Sequence, residues 1–369
     1  MMTVTGSPKS GRNGRHDDEP GQGYRYLLLC HPGTADLSQM HVPLVVFFRS
    51  HRVAIFGLYV ALAVVYAIFF GRAFIDAWVY PDWLIAPIMA FGSFVAGSTF
   101  LGGGAVAFPA LTKVFSIDPI TAKSFSLAIQ AVGMSSASLY IISRVRNLPY
   151  SFMAVYLAGA SAGLFVAFAF IEARVPAVDL RIAFTLFLLC FLVVYLFTRH
   201  SHNVSTEAHL ERTYRDILIT LFGGVLGGLI AGMLGSGADL VGFCLLALYF
   251  RIEIIRATQV SVILMASSSI IGFGLKFLFF GGVGQQVLDL WILAAPVVLF
   301  GAPIGAALCR RIPPNLLLAF ICVIVTAEVI STILLVPIDN DRLYIYGSAV
   351  LVSLLVLFFV GYLATHKHD

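Results

Sequence analysis

Charge is what this sequence has least of. Only 11% of its 369 residues are Asp, Glu, Lys or Arg, against about 25% in soluble domains. Nineteen acidic and 23 basic side chains are too few to cover a soluble particle of this size. Cysteine is also sparse. The five residues Cys30, Cys190, Cys244, Cys309 and Cys322 form no C-x-x-C pair and no ladder with histidine, so neither a disulfide framework nor a zinc site is indicated. All nine histidines fall outside the apolar segments, which argues against a haem-bearing bundle. His200, His202 and His209 share one polar stretch whose spacing suits solvation better than metal ligation. No metal and no cofactor is expected. The net charge of +4 is not gathered into a basic face, so no nucleic-acid partner is expected. These shortages exclude a soluble enzyme, a disordered chain and a nucleic-acid binder.

What the chain has instead is hydrophobic mass: 59% of residues are apolar and the mean hydropathy is +0.94. At roughly 20 residues per crossing, that bounds the count at about ten or eleven spans. The lipid bilayer is then the first partner, and the fold class is an all-α polytopic membrane protein. Residues 1–50 are polar, hold Gly and Pro, and read as a mobile tail rather than a signal peptide, with Met40 an alternative start. An extra transmembrane helix is expected over 51–75. A first unit follows over 83–197, a polar cytoplasmic linker over 198–216, a second unit over 217–336 and a C-terminal helix over 343–364.

Two apolar stretches, 83–115 and 217–250, are too long for one crossing. Thirty-three helical residues reach roughly 50 Å, against a hydrocarbon core of about 30 Å. Each stretch carries glycines that can break a helix: Gly102, Gly103 and Gly104 in the first, Gly235 and Gly237 around Ser236 in the second. Each therefore reads as a re-entrant element or helical hairpin, tolerable at membrane depth only inside protein or along a cavity. Pro109 marks a further structural break. Aligning Gly102-x-Gly104 with Gly235-x-Gly237 also brings Ala122-x-x-x-Ser126 against Ala257-x-x-x-Ser261, with a two-residue insertion between. Two repeats flanked by one extra helix at each end follow. Three crossings besides the broken element make each repeat odd, so the repeats are inverted. With the tail cytoplasmic, this places ten basic residues beyond the tail inside and seven outside; a single crossing by each broken stretch would give nine and eight. The positive-inside rule prefers the inverted arrangement by that small margin. Inverted repeats with discontinuous helices are typical of secondary transporters.

The glycine cluster followed by Pro109 and Ala122-x-x-x-Ser126, with its second copy at Gly235, Gly237, Ala257 and Ser261, resembles the sulfite exporter TauE/SafE family, also called the toluene sulfonate uptake permeases. The resemblance covers about 83–336. It implies a transporter for sulfite, organosulfonates or related organic acids in the bacterial inner membrane. The second copy departs from the family's glycine triplet: Ser236 replaces a glycine, Asp239 adds a charge, and Gly242 stands where the first copy has Pro109.

Helix N-termini offer unpaired N–H groups to an anion. The expected substrate site is a pair of such ends at the glycine breaks: Gly102, Gly103 and Gly104 with Gly235, Ser236 and Gly237. The Ser126 and Ser261 hydroxyls and the Gln130 and Gln259 amides would supply further donors. The alternative for these small residues is close helix packing. Charged residues inside spans single out Asp239, Glu328 and Lys276 as coupling residues. Asp239 makes sense beside an anion as a proton carrier or as the partner of Lys276; Glu328 is a second proton carrier or a hydrogen-bonded structural carboxyl. A proton-coupled anion carrier is the leading reading, and an anion channel its rival. An intramembrane protease fits poorly, because Gly-Ser-Gly-Ala-Asp is one residue away from G-x-G-D and no H-E-x-x-H occurs. No enzymatic activity is expected.

Overall fold

The computed structural model describes residues 52–77, 84–103, 107, 108, 110–145, 148–172 and 213–335, with scattered positions between 174 and 196 and between 346 and 354. The tail, most of the linker, nearly half of 181–197 and most of 343–364 lie outside the described residues, as do Gly104 and Pro109. The described residues are overwhelmingly helical. In chain order they form α1 (Arg52–Ala77), α2 (Ile85–Ser98), α3 (Pro119–Arg144), α4 (Tyr150–Val166), α5 (Tyr214–Leu234), α6 (Ala238–Cys244), α7 (Ile254–Phe279), α8 (Gln285–Cys309) and α9 (Pro314–Leu335). Among the described residues, seven helices are long and apolar enough to cross a membrane: Gly57–Asp76, Pro119–Arg144, Tyr150–Ile171, Tyr214–Leu234, Ile254–Phe279, Gln285–Cys309 and Asn315–Leu334. Ile85–Ser98 and Ala238–Tyr249 are apolar but shorter. The outer face is itself apolar, with Ile68, Phe69, Phe222, Leu278, Phe279 and Leu334 exposed. Hydrocarbon solvates such a surface and water does not.

Both overlong stretches break at the expected glycines. In the second, α5 ends at Leu234 and Gly235 caps it in the left-handed region at φ +79°; Gly237 is left-handed as well at φ +118°, and α6 starts one residue later. In the first, α2 ends at Ser98 and Gly102 stands at φ +69°. Only glycine adopts these angles without strain. α5 begins at Tyr214, so 214–216, which composition assigns to the linker, are helical.

The two stretches also leave their breaks alike. Ala110–Val114 and Leu245–Tyr249 are π-helical turns, 135 residues apart. Phe115 N–H donates to the Ala110 carbonyl at 3.2 Å and Ile117 N–H to Leu111 at 3.0 Å. Phe250 and Ile252 repeat this with Leu245 and Leu246 at 3.0 and 2.9 Å. Ser116 and Arg251 are the only non-glycine residues with positive φ among the described residues, each at 53°. Asp118 and Glu253 then hold nearly the same extended conformation at the starts of α3 and α7, both 26 residues long. The Asp118 carboxylate caps α3, accepting from Ile120 and Thr121 N–H. The offset between the stretches is 133 residues at Gly102 and Gly235 and 135 at the π-helical turns.

Packing crosses between the halves. α2 lies along α8, and α4 along α5. A Cβ at Gly97 would strike the Ala302 carbonyl, and one at Gly305 the Phe94 carbonyl; Gly159, Gly163, Gly224 and Gly228 do the same between α4 and α5. These spacings of four let backbones touch, and both pairs run parallel. α3 and α7 run antiparallel: Leu127 meets Gly272, Gln130 meets Ser269, and Ser138 meets Val262.

Candidate functional site

The two breaks face each other in the middle of this crossed packing. Phe100, just before the first break, stacks on Phe243 of α6 with ring centroids 3.7 Å apart. A Cβ at Gly102 would strike Oδ2 of Asp239 and crowd Met265 Sδ. Asp239 is 1% exposed. Its Oδ1 accepts from the Gly237 N–H at 3.1 Å, while Oδ2 has no hydrogen-bond partner. A buried carboxylate oxygen left in this way is costly unless it carries a proton or meets a ligand.

Gln130 links the other side. Its Nε2 donates to Ser126 Oγ at 2.5 Å and to the Gly235 carbonyl at 3.1 Å, and its Oε1 accepts from Ser269 Oγ at 3.3 Å. A Cβ at Gly235 would stand 2.5 Å from the Lys123 carbonyl oxygen and 3.0 Å from Ser126 Cβ. Tyr156 fixes α6 from outside by donating to the Ala238 carbonyl at 2.6 Å. A cavity of about 20 Å³ lies beside this network, lined by Gly103, Gln130, Ser93, Gly133, Met134 and apolar neighbours. That is room for about one water molecule.

Of the residues expected at the site, Gly102, Gly103, Ser126, Gln130, Gly235, Gly237 and Asp239 come together here, and Ser236 between the two glycines is buried. Gly104 lies outside the described residues, so the second of the two paired helix ends has no described partner. Ser261 spends its hydroxyl on the Thr258 carbonyl of its own helix. Gln259 lines a different cavity of about 10 Å³ with Arg256, Ile252 and Leu148. Lys276 is not the partner of Asp239. Its ammonium donates to Glu172 Oε1 at 2.8 Å, because the last turn of α7 brings it to the end of α4. Glu328 sits in a cluster of hydroxyls: Thr185 and Thr332 each approach Oε1 at 3.4 Å, and Ser331 approaches Oε2 at 3.5 Å.

Sequence reading missed Ser269, Met265, Tyr156 and Glu172. Ser269 and Lys276 are seven residues apart on α7, as Lys123 and Gln130 are on α3, so helical spacing carried a signal for Ser269. Nothing local marked Tyr156, which reaches Ala238 only through the α4–α5 packing.

A bundle of apolar crossings with two short broken helices meeting at its centre defines a multi-pass membrane protein of the transporter type. The family model described as Sulfite exporter TauE/SafE matches residues 84–332, and the chain belongs to that family. It is therefore a TauE/SafE family membrane transporter, and membership implies export of sulfite or related small anions. No curated protein and no solved structure matches the chain.

Proposed function

We propose that this chain is a secondary carrier that moves sulfite, an organosulfonate or a related organic acid anion across a bacterial inner membrane, with its N-terminus cytoplasmic. The anion lodges where the two glycine breaks meet, and Asp239 carries the coupling proton. The observation that supports this most is the buried Oδ2 of Asp239, unbonded and facing Gly102 of the other half. In the protonated state Oδ1 keeps its bond from Gly237, and Oδ2–H is a donor toward the break, where an oxyanion can accept it. Ionised, the same oxygen repels an anion. Proton and anion therefore favour each other's binding, the reciprocal coupling a carrier needs. Glu328, among hydroxyls, is the second proton carrier in this reading.

We infer further that the two halves are inverted repeats. What supports this is the matching π-helical turns and positive-φ residues at Ser116 and Arg251, together with the antiparallel course of α3 and α7, the helices that follow them. Inversion allows the breaks to be reached alternately from either side.

The test is flux of labelled sulfite, sulfonates and carboxylates into proteoliposomes under an imposed proton gradient. Saturable, gradient-driven flux of at least one of them is expected. Flux of none removes the anion reading, and unitary currents in planar bilayers replace the carrier by a channel.

A further inference from the structure

The proposed function leaves one cluster of buried charge unused. Lys123 opens α3, Lys276 closes α7, and Glu172 directly follows the π-helical turn that ends α4. Both ammonium groups converge on one atom: Lys123 Nζ lies 2.6 Å and Lys276 Nζ 2.8 Å from Glu172 Oε1. The lysine side chains are 5% and 8% exposed, and the glutamate side chain 17%. Among the described residues, two buried cations thus share one anion, leaving a net positive charge. Asp118 also acts electrostatically on Lys123, but it is exposed and occupied in capping α3, so water screens it. Each ammonium has three donors and makes one described hydrogen bond. Among the described residues the two ammonium groups meet one carboxylate oxygen and, for Lys276, the face of the Phe168 ring 5.8 Å away, which leaves donors of both lysines for a further acceptor.

The cluster also stands on the way to the break. Lys123 and Gln130 are seven residues apart on α3, and Lys276 and Ser269 seven apart on α7, which is about 10 Å along each helix. Because the helices run antiparallel and Gln130 meets Ser269, the lysines lie at one end of a polar track and the break network at the other. Ser126 lies between, and the Lys123 carbonyl touches Gly235 itself.

We propose that Lys123 and Lys276 form an anion-capture site at the mouth of the pathway, and that Glu172 is its tethered occupant, displaced by an incoming sulfite-class oxyanion. This rests on the anion-carrier reading above. A doubly charged oxyanion with several acceptor oxygens neutralises both lysines and uses more of their donors, which one carboxylate oxygen cannot do. Glu172 is the most exposed of the three and lies beyond the end of its helix, so it can turn outward when exchanged.

The test is sodium sulfite titration of the full chain in nanodiscs, followed by calorimetry, with sodium chloride at matched ionic strength as control. Wild type, Glu172→Gln and Lys276→Gln are compared by half-saturating concentration. Removing the tethered competitor in Glu172→Gln is expected to lower that concentration by roughly tenfold. Lys276→Gln leaves a neutral Lys123–Glu172 pair and is expected to raise it by roughly tenfold or more. If the lysines serve only to anchor Glu172, Lys276→Gln binds sulfite like wild type, and the proposal is overturned. Should Glu172→Gln fail to fold, Lys276→Gln decides alone. Wild-type transport with unshifted variants overturns the capture site only; no sulfite binding or transport by wild type overturns both this and the carrier reading.

Discussion

Gly102 and Asp239 stand so close that one added methyl group at Gly102 would strike the Asp239 carboxylate. Each belongs to a different broken stretch, and each sits where its helix has just ended or just begun. A backbone without a side chain therefore faces a buried carboxylate oxygen without a hydrogen bond. This contact brings the two sequence motifs together.

Gly102→Ala is expected to disable the protein where Gly103→Ala does not. At Gly102 a side chain meets φ +69°, Asp239 Oδ2 and Met265, and a strained left-handed residue costs roughly 1–3 kcal/mol. At Gly103 the nearest atom is Gln130 Cγ at 3.4 Å, the margin of ordinary contact. Melting temperature and sulfite flux, measured on both variants, check this. Equal behaviour of the two would mean that the contact with Asp239 is unimportant.

Asp239→Asn keeps an oxygen for the Gly237 N–H bond but cannot release a proton. Flux driven by a proton gradient is expected to fall by at least roughly tenfold, and its pH dependence to flatten. Exchange of labelled for unlabelled anion with no gradient is expected to survive, because the amide still donates from the Oδ2 position. Loss of exchange and driven flux together would assign Asp239 to folding or anion binding rather than to coupling.

The breaks were legible in the sequence for a simple reason: stretches too long for the bilayer must stop somewhere, and glycine clusters mark where. Gly102, Gly235 and Gly237 are therefore found in the left-handed region. Partners across the bundle were not legible. Lys276 and Asp239 both lie in apolar sequence, and nothing in their spacing fixes the partner of either. What decides the partner is that α7 ends beside the end of α4, which places Glu172 rather than Asp239 within reach. Gln259 offers an amide donor in the sequence, yet it lines the cavity beside Arg256. In a helix whose every face is apolar, periodicity says nothing about which neighbour a polar side chain meets.

The parallel contact of α4 and α5 rests on backbone approach, and glycine substitutions should sort accordingly. Gly228→Ala places a Cβ against the Ala160 carbonyl, carbon and Cα, all backbone atoms that cannot step aside. It is expected to destabilise by roughly 1–3 kcal/mol through overpacking. Gly274→Ala meets nothing within 4 Å and is expected to be neutral or to stabilise by about 0.5–1 kcal/mol through helix propensity. Thermal unfolding in one detergent ranks them.

Tyr156→Phe removes the hydroxyl that donates to the Ala238 carbonyl, leaving that buried acceptor to be satisfied in some other way. Buried acceptors abandoned by their donors cost about 1–3 kcal/mol, although membrane hydrogen bonds average nearer 0.6 kcal/mol. The helix it steadies carries Asp239 in its first turn, so flux is expected to fall more than stability does. A drop in melting temperature with wild-type flux would show that α6 holds its position without this bond.

Acidification should act on the Lys123–Glu172–Lys276 cluster with a defined sign. Burial pushes the Glu172 carboxyl up, but the hydrogen bonds and charges of Lys123 and Lys276 outweigh burial and hold it below the ordinary carboxylate value. A carboxylate depressed in the folded protein contributes stability that is present above its unfolded value and is lost as pH falls through its folded value. The melting temperature of wild type is therefore expected to decline on acidification through the carboxylate range. Other carboxylates contribute to that decline, so the informative quantity is the difference from Glu172→Gln, which lacks this group. That difference is expected to be constant near neutral pH and to shrink as the pH falls. A difference that stays constant through the acidic range would mean that Glu172 is not an ionised partner of the two lysines.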